Sequence, residues 1–216
     1  MIVGYDDSNN GTRKGIDRVL VALATTDPAD AIRHAKKWSW FGRRGRRQKR
    51  KSDYFPKPQI LDPENTLRAF ENRFVFSLVP NNITAEPWLA NFTDQERLCI
   101  CLSEFVAHYT ANGHLERFII DGSPRGLYPL VHACLREVYG IRVGKDIILA
   151  EKDADGAYKV VNDAAHVAKA LHYLQRGMDY LKPGSNSIKD SHLARCLIEP
   201  QPERYRDLVH SLRKGR

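Results

Sequence analysis

Four aspartates stand where their type and spacing could do chemistry. Asp6 and Asp7 end the short apolar run Ile2-Val3-Gly4-Tyr5. Asp121 ends a second one, Phe118-Ile119-Ile120. Asp163 opens a stretch rich in small residues, Asp163-Ala164-Ala165-His166-Val167-Ala168-Lys169-Ala170. In an open α/β sheet, functional groups gather beyond the carboxyl ends of the strands. Two carboxylates from adjacent strand ends, joined by a third from a helix packed beside them, would lie within reach of one hard cation. Such cations take carboxylate oxygens and keep several waters. Two of them about 4 Å apart can activate a water and neutralise the leaving oxygen in phosphodiester cleavage. The chain has no Walker-type or Gly-x-Gly-x-x-Gly loop, which removes the common nucleotide-binding alternatives.

Each acid also has a plainer reading. Asp6-Asp7 and Asp121-Gly122 suit turns, and Asp163 suits the first turn of a helix, where negative charge meets the dipole. Asp153 and Asp155 are the weaker candidates, because a polar turn around Gly156 accounts for them. His166 and His172 read as helix-surface or packing residues. The chemical case therefore rests on convergence of Asp6, Asp121 and Asp163.

The elements that must position these residues follow from local patterning. Residues 2–6 and about 17–25 read as two strands joined through the turn formers Ser8-Asn9-Asn10-Gly11. Asp27-Pro28 opens a helix that runs to about Trp38. Residues 39–65, with Pro56, Pro58 and Pro63, read as a long irregular segment. Strand character returns at 73–79, where Phe74, Phe76 and Leu78 alternate. Thr93-Asp94-Gln95-Glu96 has the pattern of a capping box, and its helix ends near Gly113. A buried strand at 117–121, a helix at about 127–139, a strand at 146–150 and a helix from about Asp163 to Gln175 follow. Residues 177–190 read as linker, and two short helices at about 191–198 and 203–213 close the chain. Early antiparallel strands followed by α/β alternation imply a mixed sheet flanked by helices. The expected organisation is one domain over 1–176 with a basic insertion at about 39–65, then a linker and helical extension over 177–216.

Charge divides the chain in a second way. Its 216 residues hold 34 Lys and Arg against 26 Asp and Glu, a net charge of +8. Seven of the cations fall between 43 and 51: Arg43, Arg44, Arg46, Arg47, Lys49, Arg50 and Lys51. Without those seven the balance is 27 against 26. The protein thus reads as nearly neutral with one cationic segment. Neutralising phosphates releases counterions, so such a segment suits sequence-independent, salt-sensitive binding of nucleic acid. Trp38, Trp40, Phe41 and Tyr54 beside it could stack on bases. A solvated loop or targeting signal is the plainer reading.

Four cysteines are too few and too scattered for a disulfide framework, and read as reduced, mostly buried thiols of an intracellular, cytoplasmic protein. No apolar run approaches the roughly 20 residues that span a bilayer. The N-terminus lacks the pattern of a signal peptide. No membrane partner is expected, and oligomeric state is open.

Three segments together carry a family resemblance. Gly4-Tyr5-Asp6-Asp7 resembles the Gly-x-Asp-Glu start of type 2 ribonucleases H. Ile120-Asp121-Gly122 resembles that family's second acid in its hydrophobic-Asp-Gly setting. Ala164-Ala165-His166-Val167-Ala168-Lys169 is similar to its Ala-Ser-Ile-x-Ala-Lys helix. The resemblance covers roughly residues 1–25 and 74–175. It implies a ribonuclease H-like α/β fold and a nuclease that uses Mg2+ or Mn2+ on DNA, RNA or a hybrid. It further implies that Asp6 and Asp121 bridge the metals, that Asp163 completes one metal shell, and that Asp7 stands where the family has glutamate. His166 would then be a proton shuttle. Ser8-Asn9-Asn10-Gly11 replaces the glycine-rich loop with which the family reads the RNA 2′-hydroxyl, so the sugar preference stays open. The rival expectations are a binding module that keeps the fold without catalysis, and a transferase-like α/β protein whose basic loop only docks.

Overall fold

The computed structural model describes residues 1–8, 17–27, 63–79, 91–122, 127–144, 146–151, 154–177 and 192–214. The cationic segment from Arg43 to Lys51, the helix expected up to Trp38, Asn9 to Gly11, Asp153 and the 178–190 part of the linker lie outside them.

Five strands form one mixed sheet. β1 (Ile2–Asp7) and β2 (Arg18–Thr25) make an antiparallel pair, and β3 (Phe74–Val79) adds antiparallel to β2. β4 (Arg117–Asp121) lies parallel to β1, and β5 (Ile148–Glu151) parallel to β4, giving the order β3-β2-β1-β4-β5. The helices between are α1 (Pro63–Ala69), α2 (Asp94–Ala111), α3 (Leu127–Tyr139), α4 (Ala154–Ala157) and α5 (Lys159–Gly177). Two 3-10 turns, His192–Cys196 and Pro202–Arg204, lead to α6 (Arg206–Lys214).

Side chains alternate across the strands, and the sheet is buried on both faces. Val3, Tyr5, Leu20, Ala22, Phe118 and Ile120 pack with α2 and α3 through Leu102, Phe105, Val131 and Leu135. Val19, Val21, Leu23, Phe76 and Ile119 pack with α5 through Val160, Val161, Ala164, Val167 and Leu171. The chain is thus a three-layer α/β fold. Outside the α2–α3 layer, Tyr205 and Val209 of the C-terminal extension pack on Ile100 and Cys134. The outer edge of β3 is met by the same extension: Ile198 N–H donates to the Phe76 carbonyl at 2.8 Å, and Ser77 Oγ donates to the Ile198 carbonyl at 2.6 Å.

Several boundaries differ from expectation. α1 occupies a stretch where Pro63 reads as a break; proline instead stands at the first helical position, where its missing N–H costs nothing. β5 begins at Ile148, because Ile147 N–H closes a turn onto Gly144. α5 begins at Lys159, so Asp163 sits one turn inside the helix. The capping box is present, with Glu96 N–H donating to Thr93 Oγ1 and Thr93 N–H to Glu96 Oε2. All four cysteines are free and buried, and burial pushes the Cys101 thiol up to about 12. No described helix is long and apolar enough to cross a membrane.

Candidate metal centre

The alternation of β1 sorts its acids. Val3 and Tyr5 face α2, so Asp7 belongs to that side and Gly4 and Asp6 to the α5 side. Gly4 is needed there: a Cβ would lie 2.6 Å from the Val160 carbonyl. On β4, Ile119 faces α5, and Asp121 shares its face. Tyr5 of β1 is level with Ile120 of β4, so the next residue on each parallel strand is an aspartate, Asp6 beside Asp121. Gly122, at φ 120°, then turns the chain in a conformation that favours glycine.

A third carboxylate arrives from α4. Asp155 is buried, and its N–H donates to Asp121 Oδ1 at 3.4 Å. One carboxylate oxygen from each of Asp6, Asp121 and Asp155 can be chosen so that all lie within 4.8 Å of one another. Oxygens bound at about 2.1 Å to one octahedral ion stand about 3.0 Å apart when adjacent and about 4.2 Å when opposite, so this set would contract to share one hard divalent cation. An all-oxygen donor set of charged carboxylates also matches that ion class in chemistry. The Asp7 N–H donates to Asp6 Oδ1 at 2.7 Å, which orients the Asp6 carboxylate from its own strand.

Asp7, Asp163 and His166 are not members of that group. Asp7 pairs with Arg18, whose Nη2 is 2.5 Å from Oδ2, and Tyr5 Oη is 3.4 Å from the same oxygen. Burial disfavours the Arg18 charge, but the adjacent Asp7 carboxylate more than offsets it and leaves the guanidinium pKa raised. Burial, reinforced by Asp7, holds the Tyr5 hydroxyl well above its ordinary range. Asp163 is buried on α5 with Lys159 Nζ 3.8 Å from Oδ2, and is not a member of the three-acid group. His166 is buried, with Nε2 3.4 Å from Asn162 Nδ2.

Asp155 is the residue that the sequence offered only as a weaker candidate. Its signal was present but weak: an acid four residues beyond the end of a strand, in a segment of small residues. Glu151 is a fourth carboxylate at this sheet edge, level with Asp121 and accepting a hydrogen bond from Tyr158 Oη at 2.7 Å.

No family model matches the chain, and no curated protein sequence matches it. Solved structures do. The PCNA:RNase HII complex from Archaeoglobus fulgidus contains a chain similar over 99% of this one and 90% of its own length, at 19% identity and a TM-score of 0.55. Bst-RNase HIII in complex with Mn2+ is similar over 81% of this chain at 12% identity, with a TM-score of 0.53. A mutant form of Bst-RNase HIII gives 13% identity and a TM-score of 0.51. The match spans 52% of each of those two HIII chains, about half their length. At such identities the likeness is one of fold, and the fold is ribonuclease H-like.

Proposed function

We propose that this protein is a divalent-metal-dependent nuclease that hydrolyses phosphodiester bonds of nucleic acid, with Asp6, Asp121 and Asp155 as ligands for Mg2+ or Mn2+. The observation that carries the reading is the three carboxylates drawn to one point at the ends of β1 and β4. Its support from outside the chain is the likeness in fold to the RNase HII and HIII structures. A bound divalent cation would lower the pKa of a water and neutralise charge on the leaving oxygen. The chain's own part is geometric. β1 and β4 fix two ligands on a rigid sheet, α4 brings the third, and Gly4 lets the helix layer approach closely enough for them to meet.

In this reading Asp155 takes the place that the sequence suggested for Asp163, and Asp163 with Lys159 lies beside the centre as a charge pair on α5. The segment from Arg43 to Lys51 holds the substrate backbone, since a three-carboxylate pocket repels a polyanion and needs cations of its own. The four free thiols suit a reducing, intracellular compartment such as the cytoplasm.

The test is metal-dependent cleavage of single strands, duplexes, hybrids and branched substrates, with Asp121→Asn as the control. We expect turnover with Mg2+ or Mn2+ that Asp121→Asn abolishes; cleavage that survives this substitution removes the assignment. Replacing the seven cations of 43–51 with serine should flatten the dependence of binding on salt, because each phosphate contact contributes about −0.9 to the slope of log K against log salt on duplex DNA.

A second reading is a binding protein that retains the fold without turnover. Asp7 favours it, because a carboxylate engaged by Arg18 is withheld from the metal group. Tight binding of nucleic acid with no cleavage of any of the four substrate types is its expected result.

A further inference from the structure

We infer that Tyr158 and Glu151 form a clasp that positions Asp155, and that through it they set the affinity of the three-acid group for its cation; the inference rests on the metal-centre reading above. Asp155 lies on a helix of one turn, which cannot hold a position by itself. Its N–H donates to Asp121 Oδ1 across 3.4 Å, a long hydrogen bond.

The segment is also anchored at both ends. At entry, Glu151 is level with Asp121 on β4, and its carbonyl accepts from Gly122 N–H at 2.9 Å. At exit, Tyr158 N–H donates to the Ala154 carbonyl at 2.8 Å and closes the turn that carries Asp155. The Tyr158 carbonyl accepts from Asn162 N–H at 3.1 Å, which joins that turn to α5. One side-chain bond links the two ends: Tyr158 Oη donates to Glu151 Oε1 at 2.7 Å. A hydroxyl bonded to a carboxylate at this distance belongs to the stronger class of hydrogen bonds. The clasp thus closes a ring from β5 through α4 and back, with Asp155 inside it. Neither oxygen of the clasp belongs to the three-acid group, so Tyr158 is a positioning residue. Loss of such outer hydrogen bonds costs about 10- to 100-fold in metal affinity elsewhere.

The experiment is Mn2+ titration by calorimetry of the full chain and its variants, beside thermal unfolding without metal. Tyr158→Phe removes the hydroxyl alone and should weaken Mn2+ binding about tenfold or more. Glu151→Ala should do the same. Glu151→Gln keeps an acceptor oxygen for Tyr158 and should restore binding close to native. Combining Tyr158→Phe with Glu151→Ala should cost no more than either alone, because both remove one interaction. Native Mn2+ affinity in Tyr158→Phe overturns the clasp, whether or not the variant melts earlier. So does a loss in Glu151→Gln as large as in Glu151→Ala with Tyr158→Phe unaffected, since the carboxylate would then act on its own. If the native chain takes up no Mn2+, the metal-centre reading fails and the clasp with it.

Discussion

A methyl group placed on Gly4 would stand 2.6 Å from the carbonyl carbon and oxygen of Val160. The obstacle is helix backbone and cannot rotate aside. The first turn of α5 therefore rests directly on β1, two residues before Asp6, and α4 precedes that turn. We predict that Gly4→Ala costs about 3 kcal/mol, the upper end for overpacking, which is a fall in Tm of roughly 6–12 °C for a chain of this size. Mn2+ affinity should fall with it, because α4, which carries Asp155, leads directly into the displaced α5. Thermal unfolding and calorimetry check the two halves; unchanged metal affinity would show that α4 is fixed independently of α5.

Local signals were legible in the sequence, and long-range ones were not. The capping box at Thr93 and Glu96 needs partners only three residues apart, so its pattern and its structure coincide. Asp6 and Asp121 were legible because strand alternation and strand ends are local properties, and parallel pairing then sets them side by side. Asp155 was not. Its place depends on α4 docking against β4 across 34 residues of chain, and nothing within its own turn distinguishes it from a polar loop residue. Asp7 was legible as an acid but not as half of a pair, since Arg18 meets it only when the hairpin closes.

That pair gives the second prediction. Arg18 and Asp7 are largely enclosed, and Asp7 Oδ1 and Arg18 Nε are buried without a hydrogen-bond partner. Removing either side chain leaves the other charge poorly compensated. Asp7→Leu and Arg18→Met should each cost about 1–3 kcal/mol, whereas the double variant Asp7→Leu/Arg18→Met should recover much of that loss. Urea unfolding measures the cycle. Mn2+ uptake should survive in all three, because Asp7 points to the α2 side of β1, away from Asp6.

The third prediction concerns acid stability. Glu96 accepts from Arg213 Nε at 2.8 Å and also from Arg213 Nη2, and Arg213 Nη2 donates to the Asn91 carbonyl at 2.9 Å. The α6 helix is thereby fastened to the cap of α2. The Arg213 hydrogen bonds are the main reason the Glu96 carboxyl titrates below its ordinary value of 4.5. A depressed carboxylate pKa stabilises the fold above the unfolded value and loses that contribution as pH falls through the folded one. Arg213→Ala should therefore melt earlier than native at pH 7. The gap should stay constant down to about pH 5 and close progressively below 4.5. A gap that is the same at pH 3 as at pH 7 would show that Arg213 acts through packing alone.

The last prediction separates Asp155 from Asp163. Both are buried acids near the start of the helix layer, but among the described residues it is Asp155 that joins Asp6 and Asp121 within 4.8 Å. Three carboxylates this close repel one another without a cation, and one removed charge relieves that repulsion. Asp155→Asn should thus stabilise the metal-free protein by about 1 kcal/mol, a rise in Tm of roughly 2–4 °C, while abolishing the further rise that Mn2+ gives the native chain. Asp163 faces Lys159, so Asp163→Asn removes a favourable pairing. It should melt slightly below native and keep the Mn2+-induced rise. The two variants thus move metal-free stability in opposite directions, and the sign alone identifies which carboxylate belongs to the centre. A higher metal-free Tm in Asp163→Asn with Mn2+ stabilisation lost would return the third ligand to α5.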